Sequence, residues 1–145
     1  GKNFYAFGMK NQSGGYEIRA ATDDYSFKSV LGGRNLTIIH GSSGKRENVN
    51  IFEGMIDFLS LCAMYSATQP KFDSIIMHSL SSYGKVKDWL AGRSYEKISL
   101  FLDNDRAGKQ HIAQFKKDFD KVSDQSILYA YGDHKDLNEL WQKHS

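Results

Sequence analysis

The chain has 145 residues, 40% of them hydrophobic and 25% charged, which predicts a globular domain of ordinary size rather than a disordered tail. No apolar run reaches the roughly 18 residues of a membrane span, and the N-terminus lacks the pattern of a signal peptide, so we expect a soluble, cytoplasmic protein. The formal net charge is +2, and residues 1–50 hold seven Lys/Arg against four Asp/Glu. This basic front is compatible with a nucleic-acid partner and equally with an ordinary solvated surface.

The first third of the chain is predicted to be mostly β-structure. Short runs of aromatic and β-branched residues at 4–8, 15–21 and 35–40 are separated by glycine-bearing turns, which is typical of short strands. A polar segment, GSSGKRENVN, then leads into a different pattern. We therefore predict a basic, β-rich flanking subdomain at residues 1–48 and an α/β domain at residues 49–145.

From residue 49 onward, strand and helix patterns alternate. The strands are near-continuous apolar runs, which indicates burial on both faces, and the helices between them are long enough to connect parallel neighbours. The predicted fold is a small doubly wound α/β sheet, with strand order 2-1-3-4 if the first and third strands are neighbours. The predicted strands lie at 49–53, 72–79, 97–103 and 126–131, and the predicted helices at 55–67, 82–92, 107–121 and 136–144.

Three carboxylates fall at the carboxyl ends of predicted strands. Glu53 ends the first strand and precedes Gly54, whereas Asp103 ends the third strand and Asp105 follows in the loop. Open parallel sheets bind ligands at this edge, near the point where the strand order reverses, so we expect the three side chains to converge. Clustered carboxylates repel one another unless they are protonated or bridged by a cation, and an all-oxygen set suits magnesium. Magnesium shares its coordination with substrate phosphates, which points to phosphoryl chemistry.

The segment DNDRAG has three other interpretations. An EF-hand loop beginning at Asp103 would need an oxygen ligand where Ala107 stands and a glutamate where Gln114 stands, so it is rejected. A haloacid-dehalogenase-type phosphotransferase also has two aspartates with this spacing, but that pattern usually continues with Thr or Val where this chain has Arg106 and Ala107. Helix capping would explain Asp103 or Asp105 alone, but it leaves the Glu-Gly pair of the first strand unexplained.

These residues carry a resemblance to a known family. IFEGMIDFLSL, followed later in the chain by LFLDNDRAGK, resembles the Toprim domain of DnaG-type primases, topoisomerases and certain nucleases. The signature of that domain is Glu-Gly after the first strand and Asp-x-Asp after the third, and Glu53, Asp103 and Asp105 match it. The details favour the primase branch, because Asp57 follows the Glu-Gly pair and HSLSS at 78–82 occupies the place of the primase Ser-Leu-Gly segment. The resemblance implies a Toprim, Rossmann-like sheet.

Both ends of the chain extend the resemblance. The tail is similar to that of Toprim-like primases from mobile elements, and Lys135, Asp136 and Asn138 match the Lys/Glu-Asp-Pro segment of the replicative enzymes. The front is similar to a flank that, in primases, forms part of a basic subdomain gripping template and primer. Arg19 and Lys28 would be the residues that carry this contact.

The resemblance implies a divalent-metal site and a phosphate-binding surface. Asp103 and Asp105 would hold Mg²⁺ or Mn²⁺, with Asp136 in an outer or second-metal role. Glu53 would share in metal binding or act as the general base on the attacking 3′-hydroxyl, and both roles stay open. The cations expected to contact nucleotide or nucleic-acid phosphates are Arg19, Lys28, Lys45, Arg46, Arg106, Lys109 and Lys135. For Arg106 and Lys109, plain solvation on a helix face is the alternative.

The function implied is that of a DNA primase core, which makes short RNA primers on a single-stranded DNA template from nucleoside triphosphates. A Toprim-type metal-dependent nuclease and a non-catalytic nucleic-acid-binding module are the alternatives. The start at Gly1, without an initiator methionine, indicates a piece of a longer protein. The family implies a zinc-ribbon domain in that full-length chain and a replicative helicase as a further partner, and no membrane partner is expected.

Overall fold

The structure, a computed structural model, describes residues 5–21, 26–128 and 132–144, which form two β-sheets and their flanking helices. The strands are β1 (Phe7–Lys10), β2 (Tyr16–Ala21), β3 (Ser26–Leu31), β4 (Thr37–Ile39), β5 (Asn48–Phe52), β6 (Asp73–Ile76), β7 (Lys97–Phe101) and β8 (Val122–Asp124). The helices are α1 (Met55–Met64), α2 (Tyr83–Leu90), α3 (Arg106–Asp118), α4 (Gln125–Leu128) and α5 (Leu137–His144), with a 3-10 helix at Leu80–Ser82. Within these ranges no helix combines the length and the apolar character needed to cross a membrane.

β1, β2 and β3 form an antiparallel sheet in that order. The turn between β1 and β2 is built around Asn11, whose side-chain oxygen accepts hydrogen bonds from the backbone N–H groups of Ser13 at 3.0 Å and Gly15 at 3.1 Å. Gly14 has φ +78°, a left-handed conformation that glycine adopts without strain. The residue pattern predicts no strand at β3. The side chains of β3 are almost all exposed, so the strand lacks the alternation of apolar and polar residues that identifies a half-buried strand.

The second sheet has five strands in the order β4-β6-β5-β7-β8. β5 pairs in parallel with β6 and β7, β7 pairs in parallel with β8, and β4 runs antiparallel beside β6. For the four strands of the predicted α/β domain this is the order 2-1-3-4, so the predicted α/β fold is confirmed. β4 precedes residue 48 in the chain, yet its β-branched residues pair with β6 and cover that edge of the sheet. The domain boundary at residue 48 stays a prediction.

The last strand of the α/β domain lies earlier than predicted. The predicted strand over 126–131 is wrong for residues 126–128, because β8 covers Val122–Asp124 and Gln125–Leu128 is helical. The end of the predicted strand falls outside the described residues. The carboxylate of Asp124 accepts hydrogen bonds from the backbone N–H of Ser126 at 2.9 Å and from its hydroxyl at 2.6 Å. These local bonds turn the chain out of the strand and into a helical turn.

Two hydrophobic layers cover the faces of the five-stranded sheet. Alternation along β5 directs Val49 and Ile51 toward α2 and α3, and Phe52 toward α1 and α5. Phe52 is fully buried and stacks on Phe101 of β7, with ring centroids 4.7 Å apart. Burying a side chain of this size stabilises a fold by roughly 1.5–3 kcal/mol. Packing therefore fixes the ends of β5 and β7, and with them the residues that follow both strands.

Candidate active site

Three aspartates from distant parts of the chain meet at the carboxyl edge of the five-stranded sheet. Asp57 lies in the first turn of α1, Asp103 follows β7, and Asp136 directly precedes α5. One carboxylate oxygen from each aspartate lies within 4.8 Å of the other two. The first two meet because β5 and β7 are parallel neighbours, and the third joins them because α5 packs against α1. We call Asp57, Asp103 and Asp136 the aspartate cluster.

Carboxyl groups at this edge have raised pKa values. Burial, and then the charges of Asp136 and Asp103, raises the pKa of Asp57 to about 8. Burial is also the main cause that raises the pKa of Asp136, and repulsion by Asp103 adds to it. Burial, and then a hydrogen bond and repulsion from Asp103, raises the pKa of Glu53 to about 9. Carboxyl groups packed this closely are stable in the charged form only beside a cation.

The start of α5 orients two members of the aspartate cluster. Oδ1 of Asp57 accepts a hydrogen bond from the backbone N–H of Asn138 at 3.1 Å. Oδ1 of Asp136 accepts one from the backbone N–H of Glu139 at 2.8 Å, which makes Asp136 a cap of this helix. These N–H groups have no partner inside the helix, and the helix dipole favours negative charge at this end. The helix therefore fixes the direction of both carboxylates.

Asp105, predicted as a metal ligand, is the N-cap of α3. Its Oδ1 accepts a hydrogen bond from the backbone N–H of Gly108 at 2.8 Å. Asp105 lies outside the aspartate cluster, although its charge contributes to the raised pKa of Glu53. A side chain at position 108 would overlap the carbonyl oxygen of Asp103, so the close approach of α3 to the end of β7 requires glycine.

Asn104, between the two aspartates of the sequence motif, connects the end of β7 to the segment before α5. Its Nδ2 donates hydrogen bonds to the carbonyl oxygens of Gly132 at 3.0 Å and His134 at 3.2 Å. Its backbone N–H donates to the carbonyl oxygen of Lys135. The side chain of Lys135 returns toward the site, with Nζ 3.7 Å from Oδ2 of Asp103. These contacts hold the residues just before Asp136 against the loop that carries Asp103.

A cavity of about 650 Å³ lies between this acidic edge and the three-stranded sheet. Arg19 of β2 and Lys28 of β3 are directly opposed in the register of that sheet, and both line the cavity. Lys28 donates a hydrogen bond to the carbonyl oxygen of His78, beyond the end of β6. Burial, and then the charges of Arg19 and Arg34, lowers the pKa of Lys28. The cations of one sheet therefore share a cavity with the carboxylates of the other.

His78 forms a buried connection between the two sheets. It is 3% exposed and has φ +63°, and its Nε2 lies 2.7 Å from the hydroxyl oxygen of Thr37. That hydroxyl donates to the carbonyl oxygen of Lys10 at 2.9 Å, so Nε2 of His78 is the donor to Thr37. Burial, and then the charges of Lys28 and Arg34, lowers the pKa of His78 to about 4. His78 is therefore neutral near neutral pH.

A buried carboxylate accompanies the cations of the three-stranded sheet. Glu17 of β2 is 1% exposed, lines the cavity and has Oε1 3.8 Å from Nε of Arg34. Neither of its carboxylate oxygens has a hydrogen-bond partner in the part of the chain that the structure describes. The negative charge of Glu17 favours the protonated form of Lys28. Glu17 is thus a buried negative charge in the three-stranded sheet that offsets the positive charge of Lys28.

The structure brings together most of the predicted site residues, but not all of them. The predicted residues that line the cavity are Glu53, Asp103, Asp136, Arg19, Lys28 and Lys135. Arg106 and Lys109 are exposed on α3 and do not line the cavity. Lys45 and Arg46 precede β5 and lie at the opposite, amino edge of the sheet, roughly 16 Å from the acidic edge at the usual rise per residue of a strand.

At the aspartate cluster itself, the sequence assigns no role to Asp57 or to Asn104. The family resemblance includes Asp57 without giving it a role, although its place in the first turn of a helix that leaves the switch point is a signal for one. Asn104 has no such signal, because its partners are backbone carbonyls 28 and 30 residues away.

The donor set of the aspartate cluster fits a hard divalent cation. It consists of carboxylate oxygens from three residues, with Glu53 beside them, and among the described residues no sulfur or imidazole ligand joins it. A divalent charge would also offset the burial and the repulsion that raise the pKa of Asp57 and Glu53. Asp57, Asp103 and Asp136 are therefore the residues placed to hold such an ion.

Solved structures share this fold. The primase fragment of the bacteriophage T7 primase-helicase protein superposes with a TM-score of 0.67 at 19% identity, over 96% of this chain and 58% of that chain. A second match has a TM-score of 0.65 at 20% identity, over 96% of this chain and 70% of the other. It comes from bacteriophage T7 lagging-strand DNA polymerase interacting with primase domains of two gp4 subunits bound to an RNA/DNA hybrid and dTTP. The chain thus spans 58% of the first of these relatives, and the likeness at this identity concerns the fold.

Sequence comparison gives the family. No curated protein matches the sequence. The profile of the Toprim-like family, Toprim_2, matches residues 50–141, which is well over half of the chain and includes the whole aspartate cluster. The resemblance drawn from the Glu-Gly and Asp-x-Asp motifs is confirmed, and the chain belongs to the Toprim-like family.

Proposed function

We propose that this chain is the catalytic core of a DNA primase, which joins ribonucleotides into short primers on single-stranded DNA. The observation that carries the proposal is one cavity with the aspartate cluster on one side and Arg19 and Lys28 on the other. Nucleotidyl transfer needs both, because a metal site must bind the triphosphate and cations must hold the phosphates of the strands. The fold shared with the primase fragment of the bacteriophage T7 protein supports the proposal.

In this proposal Asp57, Asp103 and Asp136 hold Mg²⁺ or Mn²⁺, and Asp105 stays close as the cap of α3. When bound there, such an ion would supply charge stabilisation for the triphosphate oxygens. Glu53 contacts Asp103 from outside the aspartate cluster, and it accepts the proton of the attacking 3′-hydroxyl. A cation held by the aspartate cluster would lower the pKa of Glu53 and favour its ionised form, the form that can accept a proton.

The cations around the cavity bind phosphates. Arg19 and Lys28 approach from the three-stranded sheet and Lys135 from the segment before α5. Lys28 holds the carbonyl oxygen of His78, and it is released toward phosphate when a strand or nucleotide enters. Arg106 and Lys109, exposed beside the acidic edge, extend the path of the strand, and Lys45 and Arg46 form a separate basic group at the amino edge.

The names of the two similar structures suggest the partners. One is a primase-helicase protein, and the other contains primase domains bound to an RNA/DNA hybrid and dTTP. By analogy we propose nucleic acid and nucleoside triphosphates as the ligands of this chain, and a replicative helicase as a partner. From the family resemblance we further propose that the nucleic acid is a single-stranded DNA template and that a zinc-ribbon domain is a second partner. These proposals extend to the longer protein of which the chain would be the catalytic part.

The test is primer synthesis on a single-stranded template with ribonucleoside triphosphates and Mg²⁺ or Mn²⁺. The chain should make short RNA products, and Asp103→Asn and Asp57→Asn should each abolish them. Asp88→Asn is the matched control, because Asp88 is an exposed aspartate on α2 outside the cavity, and its activity should equal that of the unmodified chain. Metal-dependent cutting without synthesis, lost in Asp103→Asn, would instead establish a nuclease. Binding of DNA that is indifferent to Asp103→Asn, with neither activity, would establish a non-catalytic module.

A further inference from the structure

The three-stranded sheet carries an aromatic residue in line with two cations. In the register of this sheet Phe7 of β1 lies opposite Arg19 of β2, and Arg19 lies opposite Lys28 of β3. Directly opposed residues of antiparallel strands project from the same face of a sheet. All three residues line the cavity that contains the aspartate cluster. The row of Phe7, Arg19 and Lys28 spans two strand spacings, about 10 Å.

The ring of Phe7 is available to a ligand in this cavity. Phe7 is 65% exposed, whereas Met9, two residues along the same strand face, packs against the core that contains Phe52. The strand is therefore anchored by Met9 while the ring of Phe7 stays at the cavity wall. A single exposed aromatic residue is ordinary on a protein surface. An aromatic ring aligned with two cations, on a cavity whose other wall is acidic, matches the base and the phosphate of a nucleotide.

We infer that Phe7 is a stacking platform for a nucleobase, and that Arg19 and Lys28 hold the phosphate of the same or the next nucleotide. The inference rests on the proposed function, in which this cavity receives nucleotides or single-stranded DNA. Every base has a π-face, so stacking on Phe7 adds affinity without sequence preference. The two cations add affinity that depends on salt. Base affinity and phosphate affinity thus reside in different residues of one row.

Binding to normal and abasic DNA separates the two contributions. The probes are a fluorescent single-stranded oligonucleotide and an abasic oligonucleotide of equal length, which has the same phosphates and no bases. The unmodified chain should bind the normal strand more tightly by roughly 5- to 140-fold, the range given by stacking one base on an aromatic side chain. Phe7→Ala should abolish this preference and leave the affinity for the abasic strand unchanged. Lys28→Ala should weaken the binding of both strands and reduce the salt dependence.

Three further variants distinguish stacking from a general effect on the sheet. Phe7→Leu keeps an apolar side chain without a ring and should behave as Phe7→Ala, whereas Phe7→Trp should restore the preference for bases. Tyr16→Ala is the matched control. Tyr16 is an aromatic residue of β2 that is 44% exposed, and because it is next to Glu17 in the strand it projects from the face opposite to the cavity-lining side chain of Glu17. The preference should be intact in Tyr16→Ala. A loss of the preference in Tyr16→Ala equal to that in Phe7→Ala would overturn the inference.

Two further measurements show whether the stacked base belongs to a strand or to a free nucleotide, and whether the stacking site holds independently of the proposed function. Binding of ATP against inorganic triphosphate tests an incoming nucleotide in the same way that the two oligonucleotides test a strand. A base preference that depends on Phe7 in either pair supports the inference, and its absence from both overturns it. If primer synthesis fails but the base preference still depends on Phe7, the proposed function is contradicted and the stacking site is supported. If synthesis succeeds and Phe7→Ala keeps the preference, only the stacking site falls.

Discussion

The side chain of Asn104 donates a hydrogen bond to the carbonyl oxygen of His134, 30 residues later, at 3.2 Å. A second bond reaches the carbonyl oxygen of Gly132 at 3.0 Å. Through these bonds the residue between Asp103 and Asp105 determines where the chain runs just before Asp136. The middle position of the Asp-x-Asp motif therefore has a structural role in this chain, which is to assemble the aspartate cluster.

We expect Asn104→Ala to weaken metal binding without removing a ligand. Loss of two hydrogen bonds should lower the free energy of unfolding by about 1–3 kcal/mol, and the freed segment should lower Mn²⁺ affinity by roughly 10- to 100-fold, as changes behind metal ligands usually do. Titration of Mn²⁺ followed by electron paramagnetic resonance measures this affinity. Asn35→Ala is the control, because Asn35 makes its side-chain bonds with Ser13 and Leu36, away from the site. Equal Mn²⁺ affinity in the two variants would contradict the role of Asn104.

We expect substitutions of Asp105 to separate its capping role from its charge. Asp105→Ala removes the hydrogen bond to Gly108 and should lower the free energy of unfolding by about 1 kcal/mol, the usual value of an N-cap. Asp105→Asn keeps a capping oxygen and should unfold at nearly the same urea concentration as the unmodified chain. Its Mn²⁺ affinity should exceed that of Asp103→Asn, because Asp105 lies outside the aspartate cluster. Lower Mn²⁺ affinity in Asp105→Asn than in Asp103→Asn would place Asp105 in direct contact with the ion.

The order of the sheet and its acidic edge could be predicted, because both depend on signals within single segments. Long apolar runs identify β5, β6 and β7, and a carboxylate directly after a buried strand must lie at its carboxyl end. β8 has only three residues, and local hydrogen bonds of Asp124 end it, so it has no pattern of its own. The exposed β3 has no pattern either, although it supplies Lys28.

The rest of the site depends on contacts between segments far apart in the chain. Asp57 joins the aspartate cluster because α5 returns to α1 and donates the backbone N–H of Asn138, 81 residues later. Phe7 joins Arg19 and Lys28 through strand register, which shifts every side chain to the other face if it slips by one residue. No spacing within one segment contains that information, and the structure is needed to supply it.

We expect His78 to make stability depend on pH in the acidic range. Its pKa is about 4 in the folded chain against 6.5 for an unperturbed histidine, so between these values the unfolded chain binds a proton that the folded chain does not. The stability that neutral His78 contributes is fully present above about pH 6.5 and is lost as pH falls toward 4. His78→Asn tolerates the positive φ and does not titrate. The difference in urea-unfolding free energy between the unmodified chain and His78→Asn should shrink from pH 7 to pH 4. If the free energies of the two chains instead change in parallel with pH, His78 does not titrate as described.

We expect Gly108→Ala and Gly84→Ala to have opposite effects, although both glycines lie in the first turn of a helix. A methyl group at position 108 would overlap the carbonyl oxygen of Asp103, so α3 must move away from the end of β7. The strain should lower the free energy of unfolding by about 1–3 kcal/mol, and the displaced Asp103 should bind Mn²⁺ less tightly. Outside its own helix backbone and chain neighbours, a methyl group at position 84 meets no atom of the described residues within 4 Å. Gly84→Ala should therefore stabilise the chain by about 0.4–1 kcal/mol and leave Mn²⁺ binding unchanged. Urea unfolding and Mn²⁺ titration of both variants test this prediction. If Gly108→Ala keeps full stability and unchanged Mn²⁺ affinity, close contact between α3 and β7 is not needed to position Asp103.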